Sequence, residues 1–485
     1  MKYLMRAGQM KEIDRYSIEE IGIPSLVLME KAAGEVAKLL SEATDKEEAI
    51  LAVCGTGNNG GDAVAAARIL YERGRNAAIC LIGREERATE EMKRQLLIAR
   101  NCGVPVRGKE ALDEYTIIID GLFGIGLSRE IEGEYRGVIE KINAGNHRVI
   151  AVDVPSGIHG DTGRVMGAAI RAEKTVTFGY GKPGLYLYPG CEYAGELYVK
   201  DIGFSRKSLE QVKPDCFFYD KEDLRLLPQR RAYSNKGSYG KLLIIGGAEG
   251  MAGACILAAK AALRSGAGLV KILAAKENRE IVQASLPEAM FAPWEMAEKE
   301  LSWADAVVLG PGLSQSEKSR ELFLMLWEKE DIPLVLDADG LNLLAKLGGM
   351  DYSKRSNVIL TPHLKEMERL SRISTEEIRE TLIETVKYYG RRSSVLVLKD
   401  ARSVVSDGER VYLNVSGNHA LAKGGSGDVL SGIIGGLLAQ GARLFEAASL
   451  GVYVHGLAAE HFVEGSSGYS LLAGELTEEL RWILP

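Results

Sequence analysis

The sequence predicts an α/β protein of two domains, each built on a parallel sheet. Three observations predict it. The chain has 485 residues, too many for one ordinary core. Short Val/Ile/Leu runs alternate with amphipathic stretches along its length, the pattern of buried parallel strands and crossover helices. That alternation stops once, near "KPDCFFYDKEDLRLLPQRRAYSNKGSYG", where polar and charged residues dominate and Pro214 and Pro228 punctuate the chain. The junction is therefore placed around Gln211 to Tyr233, with domains over 1–215 and 225–485. The two halves share an architecture class but not their loop motifs, which argues against a duplication.

Composition narrows the function classes. A hydrophobic share of 46% and a charged share of 26% are those of a globular protein. The net charge of −7, with no long basic run, gives no support to nucleic-acid binding. An anionic ligand must then be met by local donors. The six cysteines are scattered with no C-x-x-C pair, which implies reduced, mostly buried thiols in a cytoplasmic protein. His455 and His461 are not one helical turn apart, so metal-ligand spacing is absent. The opening "MKYLMRAGQMKEIDRYSIEE" lacks the apolar core of a signal peptide, and no run is long enough to span a membrane.

In the first half the strand candidates are "AILAVC", "AAICLIG", "YTIIID", "HRVIAVDV" and "KTVTFGY". The first leads into "GTGNNGGDAVAAARIL", where Gly55, Gly57 and Gly60 fit the G-x-G-x-x-G of dinucleotide-binding loops. Glycines let backbone approach a phosphate, and the following helix offers free N–H groups. Two features weaken a dehydrogenase reading. Asn58, Asn59 and Asp62 put polar groups where small apolar residues usually pack. "CLIGREE" places Gly83 and Arg84 where an acid should take the ribose hydroxyls. A glycine turn capped by Asn and Asp explains the loop taken alone equally well.

Two more strand ends change the reading. "IIIDGLFGIGLSREIEG" ends a run at Asp120 before a second glycine loop, and "VIAVDVPSGIHGDTG" ends another at Asp153 and Ser156. In one parallel sheet these ends line a common crevice. Carboxylate, amide and hydroxyl oxygens together suit a hard cation or a polar substrate. Each acid alone also reads as a cap or turn residue.

These pieces resemble the N-terminal domain of the YjeF family, the NAD(P)HX epimerases. "GIPSLVLMEKAA", "GTGNNGGDAVAAARIL", "DGLFGIGLSREIEG", "AVDVPSGIHGDTG" and "TFGYGKPG" match in order across the domain. The resemblance implies a Rossmann-like three-layer sandwich that binds a hydrated nicotinamide dinucleotide and interconverts its C6 epimers. It assigns to substrate Asn58, Asn59, Gly60, Gly61 and Asp62, the loop Gly124, Ile125, Gly126, Leu127, Ser128, Arg129 and Glu130, and Tyr135 and Asp153. It assigns a potassium ion to Asn59, Asp120 and Ser156. Asp153 is expected to act as the acid/base. Ala63 departs from the family's usual Gly, a strain if that position needs positive φ, and Lys31 stands at a variable position and receives no role.

The second half restarts with "KLLIIGG" and the small-residue helix "GACILAAKAALRSGAG". It continues through "DAVVLGPG", "IPLVLDADG", "NVILTP" and "VLVLKD". Its most informative stretch is "ALAKGGSGDVLSGIIGGLLAQG". Consecutive glycine N–H groups at a helix N-terminus make a pocket for a transferring phosphoryl group, and Asp428 follows where it can take a proton from an attacking hydroxyl. The alternative is a glycine turn with Asp428 as the helix cap. "VLVLKDARSVVSDG" ends at Lys399 and Asp400, a place for nucleotide phosphates and ribose. His363 and the pair Asp337 and Asp339 end other strands; each reads either as a ligand or magnesium contact or as a helix cap.

This half resembles the ribokinase-like superfamily, and within it the ADP-dependent NAD(P)HX dehydratases, through "KGSYGKLLIIGGAEGMAGACILAAKAALRSGAGLVKI", "GPGL", "VLDADGLNLL", "TPHLKEMERL" and "NHALAKGGSGDVLSG". The resemblance places Ala254, Gly312, His363 and Asp428 on the hydrated dinucleotide. It places Lys399, Asp400, Ala401, Arg402, Ser403, Gly425, Ser426 and Gly427 on the nucleotide. Ser426 stands where Thr is commoner, and "HLKE" replaces "HPGE", which leaves the backbone at His363 open. The implied reaction phosphorylates the C6 hydroxyl of NADHX or NADPHX from ADP, with ATP as the other candidate donor and Mg²⁺ on the nucleotide. Elimination then yields NADH or NADPH with AMP and phosphate. Two other readings are a vitamin-precursor kinase of the hydroxyethylthiazole type fused to a ligand-sensing domain, and a non-catalytic first domain that binds nucleotides or a protein. A homo-oligomer is expected from the family.

Overall fold

A computed structural model describes residues 1–349, 355–391 and 394–485. The chain divides into two compact units, Tyr3–Cys216 and Phe217–Pro485 with Met1–Lys2.

The first unit is an α/β sandwich on a six-stranded sheet, parallel throughout. Its strands are β1 (Ile50–Cys54), β2 (Ala77–Leu81), β3 (Ile117–Gly121), β4 (Arg148–Val152), β5 (Lys174–Phe178) and β6 (Glu196–Lys200). They lie in the order β2-β1-β3-β4-β5-β6. The chain goes one way from β1 to β2 and the other way from β3 on, so the order reverses between β1 and β3. That reversal opens a crevice at the carboxyl ends. Helices cover both faces: Leu40, Ala66 and Leu70 pack on one side of the sheet and Ile139 and Ile142 on the other. Strand β6, "ELYVK", escapes the sequence reading because Glu196 is exposed and the run is only half-buried at the sheet edge.

The second unit carries β7 (Lys241–Ile245), β8 (Leu269–Ala274), β9 (Met290–Pro293), β10 (Ala306–Leu309), β11 (Leu334–Leu336), β12 (Val358–Leu360), β13 (Ser394–Leu398), β14 (Val404–Ser406) and β15 (Val411–Leu413). They run β15-β14-β13-β12-β11-β10-β7-β8-β9, with the order reversing between β7 and β10. The sheet is mixed. β14 pairs antiparallel with both β13 and β15, against the expectation of parallel strands alone. The reason is local: the five-residue link 399–403 and the turn "SDGER" each send the chain back directly, leaving no room for the crossover that a parallel neighbour needs. Register aligns Ile245, Leu309, Leu336, Leu360 and Leu396 across the sheet. The residues that follow the first four therefore emerge at one edge.

Helix Ser426–Ala439 packs on helix Ala252–Arg264 through small residues. A β-carbon on Gly432 would lie 2.1 Å from the carbonyl oxygen of Ala258. Backbone cannot retreat from such a contact without separating the helices. Gly432→Ala is expected to destabilise the second unit by about 1–3 kcal/mol, read as a lower denaturant midpoint.

Candidate active sites

In the first unit a cavity of about 590 Å³ lies over the carboxyl ends of the strands. Helix Asn58–Glu72 starts at its mouth, with Gly57 as N-cap and no side-chain capping bond. Asn59 and Asp62 are therefore not the caps that the loop taken alone allows. The Asn59 side-chain amide donates to the Phe123 carbonyl at 3.0 Å instead, tying the two glycine loops together. Gly55 is required by close approach, since a β-carbon there would sit 2.1 Å from the Leu122 carbonyl oxygen. Ala63 lies inside the helix without positive φ, so its methyl carries no backbone strain; it is buried against Gly121.

Asn58, Asn59, Asp62, Gly124, Ile125, Gly126, Leu127, Ser128, Arg129, Tyr135 and Asp153 all line this cavity. Gly60, Gly61 and Glu130 do not. The two glycines are buried beneath the loop and Glu130 is exposed beyond it. Tyr135 donates to the Ile82 carbonyl at 3.2 Å and packs its ring 4.9 Å from that of Phe123.

Asp153 sits at the tip of β4 with φ 65°, a left-handed conformation that a non-glycine residue adopts at some cost. Its Oδ1 accepts from Lys182 Nζ at 2.5 Å, Thr177 Oγ1 at 3.1 Å and the Phe178 N–H at 3.3 Å. Lys182 is 1% exposed and also donates to Thr177 Oγ1 and the Phe178 carbonyl. In the sequence Lys182 stands within "TFGYGKPG" with no motif of its own to mark a role. Its signal was a lone cation just past a strand end whose neighbours carry acids.

Asp120 is fully buried. Its carboxylate accepts Ser156 Oγ at 2.5 Å, the Ser156 N–H at 2.8 Å and the Leu122 N–H at 3.3 Å. Burial pushes its carboxyl up to about 6 against the pull of those donors. No cation pairs with it among the described residues. Ser156 Oγ also accepts the Phe123 N–H at 2.8 Å, so Asp120, Ser156, Phe123 and Asn59 form one connected oxygen-rich corner. Asp62 is pushed well above the carboxylate range by burial and by the charges of Asp153 and Asp14.

In the second unit, helix Ser426–Ala439 begins at Gly425, whose φ of 90° demands glycine. Asp428 is thus in the first turn and not the cap. A β-carbon on Gly427 would lie 3.6 Å from Lys399 Nζ and 4.0 Å from Asp337 Oδ2, so the glycine turn abuts an ion pair. In that pair Lys399 Nζ meets Asp337 Oδ1 at 2.9 Å, and Thr361 Oγ1 donates to the same oxygen at 2.7 Å. Burial opposes the Lys399 charge, but Asp337, Glu366 and Asp428 outweigh it and its pKa rises. Burial, then the Asp337 charge, lifts Asp428 to about 6 while Lys399 pulls it down.

The neighbouring residues divide in role. Asp339 accepts the Ser314 N–H at 2.8 Å and fastens the "GPGLSQ" loop, whereas Asp337 faces Lys399. His363 caps helix Leu364–Ser371 in a reciprocal box with Glu366, which supplies the backbone geometry that "HLKE" left open. Its ring remains half-exposed. Gly312 packs against Ala254. Asp400 lies 3.6 Å from Arg379, Ala401 is exposed, Arg402 donates to the Val415 carbonyl, and the Ser403 carbonyl accepts the Asn414 N–H at 2.9 Å. Ser426 Oγ contacts His455 Nε2 at 3.3 Å, and burial lowers that imidazole to about 4, keeping it neutral. Thr361 and His455 were not recognised as parts of the site, because neither belongs to the glycine motif that marks it.

Comparison with known proteins agrees with both halves. Residues 242–481 match the NAD(P)H-hydrate dehydratase family and residues 25–184 the YjeF-related protein N-terminus. The chain is 37% identical to the bifunctional NAD(P)H-hydrate repair enzyme of Thermofilum pendens, covering 94% of this chain and 91% of that one. It is 38% identical to the Coxiella burnetii enzyme of the same name, covering 99% of each. A ribokinase-like superfamily protein from Enterococcus faecalis superposes with a TM-score of 0.51 at 28% identity, covering 56% of this chain and 98% of that one. The protein belongs to the bifunctional NAD(P)H-hydrate repair enzyme family.

Proposed function

We propose that the chain repairs hydrated NADH and NADPH in two steps, epimerising the C6 hydroxyl in the first unit and removing it in the second. The observation that carries this is the presence in one chain of two strand-tip sites: the Asp153–Lys182 pair within a nucleotide-sized cavity, and Asp428 beside a glycine turn backed by Lys399 and Asp337.

In the second unit hydroxide is too poor a leaving group to be expelled from C6 directly. Asp428 takes the proton of that hydroxyl as it attacks the terminal phosphoryl group of ADP. The amides of Gly425 to Gly427 and the Lys399 ammonium meet the developing negative charge. The transfer breaks the P–O bond of ADP and releases AMP; phosphate then leaves C6 as the ring-nitrogen lone pair forms C=N⁺, and loss of a proton from C5 gives the reduced coenzyme. The Asp337 charge raises the proton affinity of Asp428, so the two carboxylates are near enough to suit Mg²⁺ held by one or two carboxylates and nucleotide oxygens. When bound, Mg²⁺ neutralises phosphate charge. Lys399 to Ser403 and Ser426 would frame the nucleotide, with Ala254, Gly312 and His363 on the dinucleotide.

In the first unit Asp153 serves as an acid/base at the hydrated ring, and Lys182 holds its carboxylate in place. Asp120, Ser156, Asn59 and the Phe123 carbonyl would hold K⁺, because a buried carboxylate without a cation partner and three neutral oxygens match a weakly charged hard ion. The six free cysteines support a reducing, cytoplasmic setting, no described helix is long and apolar enough to cross a membrane, and assembly into a homo-oligomer is part of the proposal.

Three measurements test this reading. Given both epimers of hydrated NADH with ADP or ATP, the wild type is expected to clear both, and the nucleotide consumed identifies the donor. Asp428→Asn is expected to slow nucleotide-dependent clearance by about 100-fold or more, and the wild-type rate should fall as pH drops through about 6, where Asp428 becomes protonated. Full activity in that variant refutes the assignment of the base. For Asp120, raised above its unfolded value, the stabilising contribution is complete at acid pH and lost as pH rises through about 6. K⁺ is therefore expected to raise the melting temperature more at pH ~7.5 than at pH ~5. Equal melting in K⁺ and Li⁺ at matched ionic strength would remove the cation from the proposal.

A further inference from the structure

We propose that Asp14 is a second acid–base group of the first unit's cavity, acting together with Asp153. This rests on reading that cavity as the epimerase site.

Helix Ala7–Glu19 lays Met10, Lys11, Asp14 and Ile18 along the cavity wall, while Ile13 and Ser17 anchor it in the protein. Positions 10, 14 and 18 repeat every four residues, one face of the helix. Asp14 is half-buried there and makes no hydrogen bond or ion pair among the described residues. Its neighbour Arg15 pairs instead with Glu19 on the exposed side. A carboxyl withdrawn from water without a protein donor is costly, so its free oxygens point to use by a ligand. The other charged groups lining the cavity are Lys11, Asp62, Glu91, Arg129, Asp153 and Lys182. Helix Arg206–Gln211 meets the Asp14 helix at Ser17, and its Arg206 pairs with Glu210. Burial first, then the Asp153 charge, lifts the Asp14 carboxyl to about 6, with Lys182 pulling it down. Asp153 differs in kind, since its Oδ1 is saturated by Lys182, Thr177 and Phe178.

The chemistry needs such a pair. C6 of the hydrated ring carries a hydroxyl and is bonded to the ring nitrogen. Neutral Asp14 gives its proton to that hydroxyl, the C6–O bond breaks, and water leaves as the nitrogen lone pair forms a C=N⁺ double bond. Water then adds to the opposite face of C6 and loses a proton to the Asp153 carboxylate, while the nitrogen regains its lone pair. One proton has moved from Asp14 to Asp153. The reverse epimerisation, or exchange with solvent, restores the starting state.

The full-length protein tests this with epimer exchange and ADP-driven dehydration measured side by side. Asp14→Asn is expected to slow exchange by about 100-fold or more while clearance of the directly dehydrated epimer keeps its wild-type rate, which controls for enzyme concentration, and an unchanged melting transition controls for folding of the first unit. Asp14→Glu should recover part of the loss. Wild-type exchange should fall as pH rises above about 6, and Asp14→Asn should flatten that limb. The proposal is overturned if Asp14→Asn exchanges at the wild-type rate, if it slows with an unchanged pH profile, or if Asp62→Asn flattens the limb instead. Absence of exchange in the wild type is a separate result that removes the epimerase reading and this proposal with it.

Discussion

In a parallel sheet every strand hands its next loop to the same edge, and where strand order reverses the departing loops diverge. Both units depend on that constraint. In the first the reversal falls between β1 and β3, so the Gly55 loop and the Phe123 loop leave side by side, held by the bond from Asn59 to Phe123. In the second it falls between β7 and β10. There the loops after Ile245 and Leu309 cross-bond, with the Gly247 N–H on the Pro311 carbonyl and the Ala248 N–H on that of Gly312. The apolar bodies of the strands supply the cores, and nearly all candidate chemistry sits in the residues just beyond them.

Charge at these tips is handled in distinct ways, and the differences sort the acids by role. Asp153 and Asp337 each meet a lysine and a threonine hydroxyl, so their charge is compensated inside the protein. Asp120 is met by neutral donors only, which leaves its charge to be balanced from outside. Asp428 and Asp14 feel a lysine but bond to none, and both rise to about 6. A cation at hydrogen-bond distance keeps a buried carboxylate charged and ready to accept a proton, whereas burial without one favours the protonated form or an added cation. Each unit thus sets a lysine-paired acid near one that bonds to no cation.

Much of this was legible in the chain itself. Apolar runs marked the central strands because a strand covered on both faces is apolar throughout. The acids closing those runs, Asp120, Asp153 and Asp337, were visible because a charge cannot stay inside such a run. What lay outside that logic was missed. β6 is half-exposed, and β14 with β15 form a hairpin that the run pattern does not separate from a parallel pair. Lys182, Thr361 and His455 carry no motif of their own, and Asp14 sits on a helix before the first apolar strand, where an acid looks like ordinary surface.

By itself, the sequence determined the α/β class, the two-part organisation and the strand-end positions of most candidate residues, because local periodicity and glycine spacing follow from backbone geometry. Only the tertiary structure decided which tips meet. It joined Lys182 to Asp153 and Lys399 to Asp337, turned Asp339 and His363 to holding loops and helix ends, and brought Asp14 to the cavity wall. Those outcomes depend on strand order and register, which bring together residues far apart in the chain, and no local pattern encodes that distance.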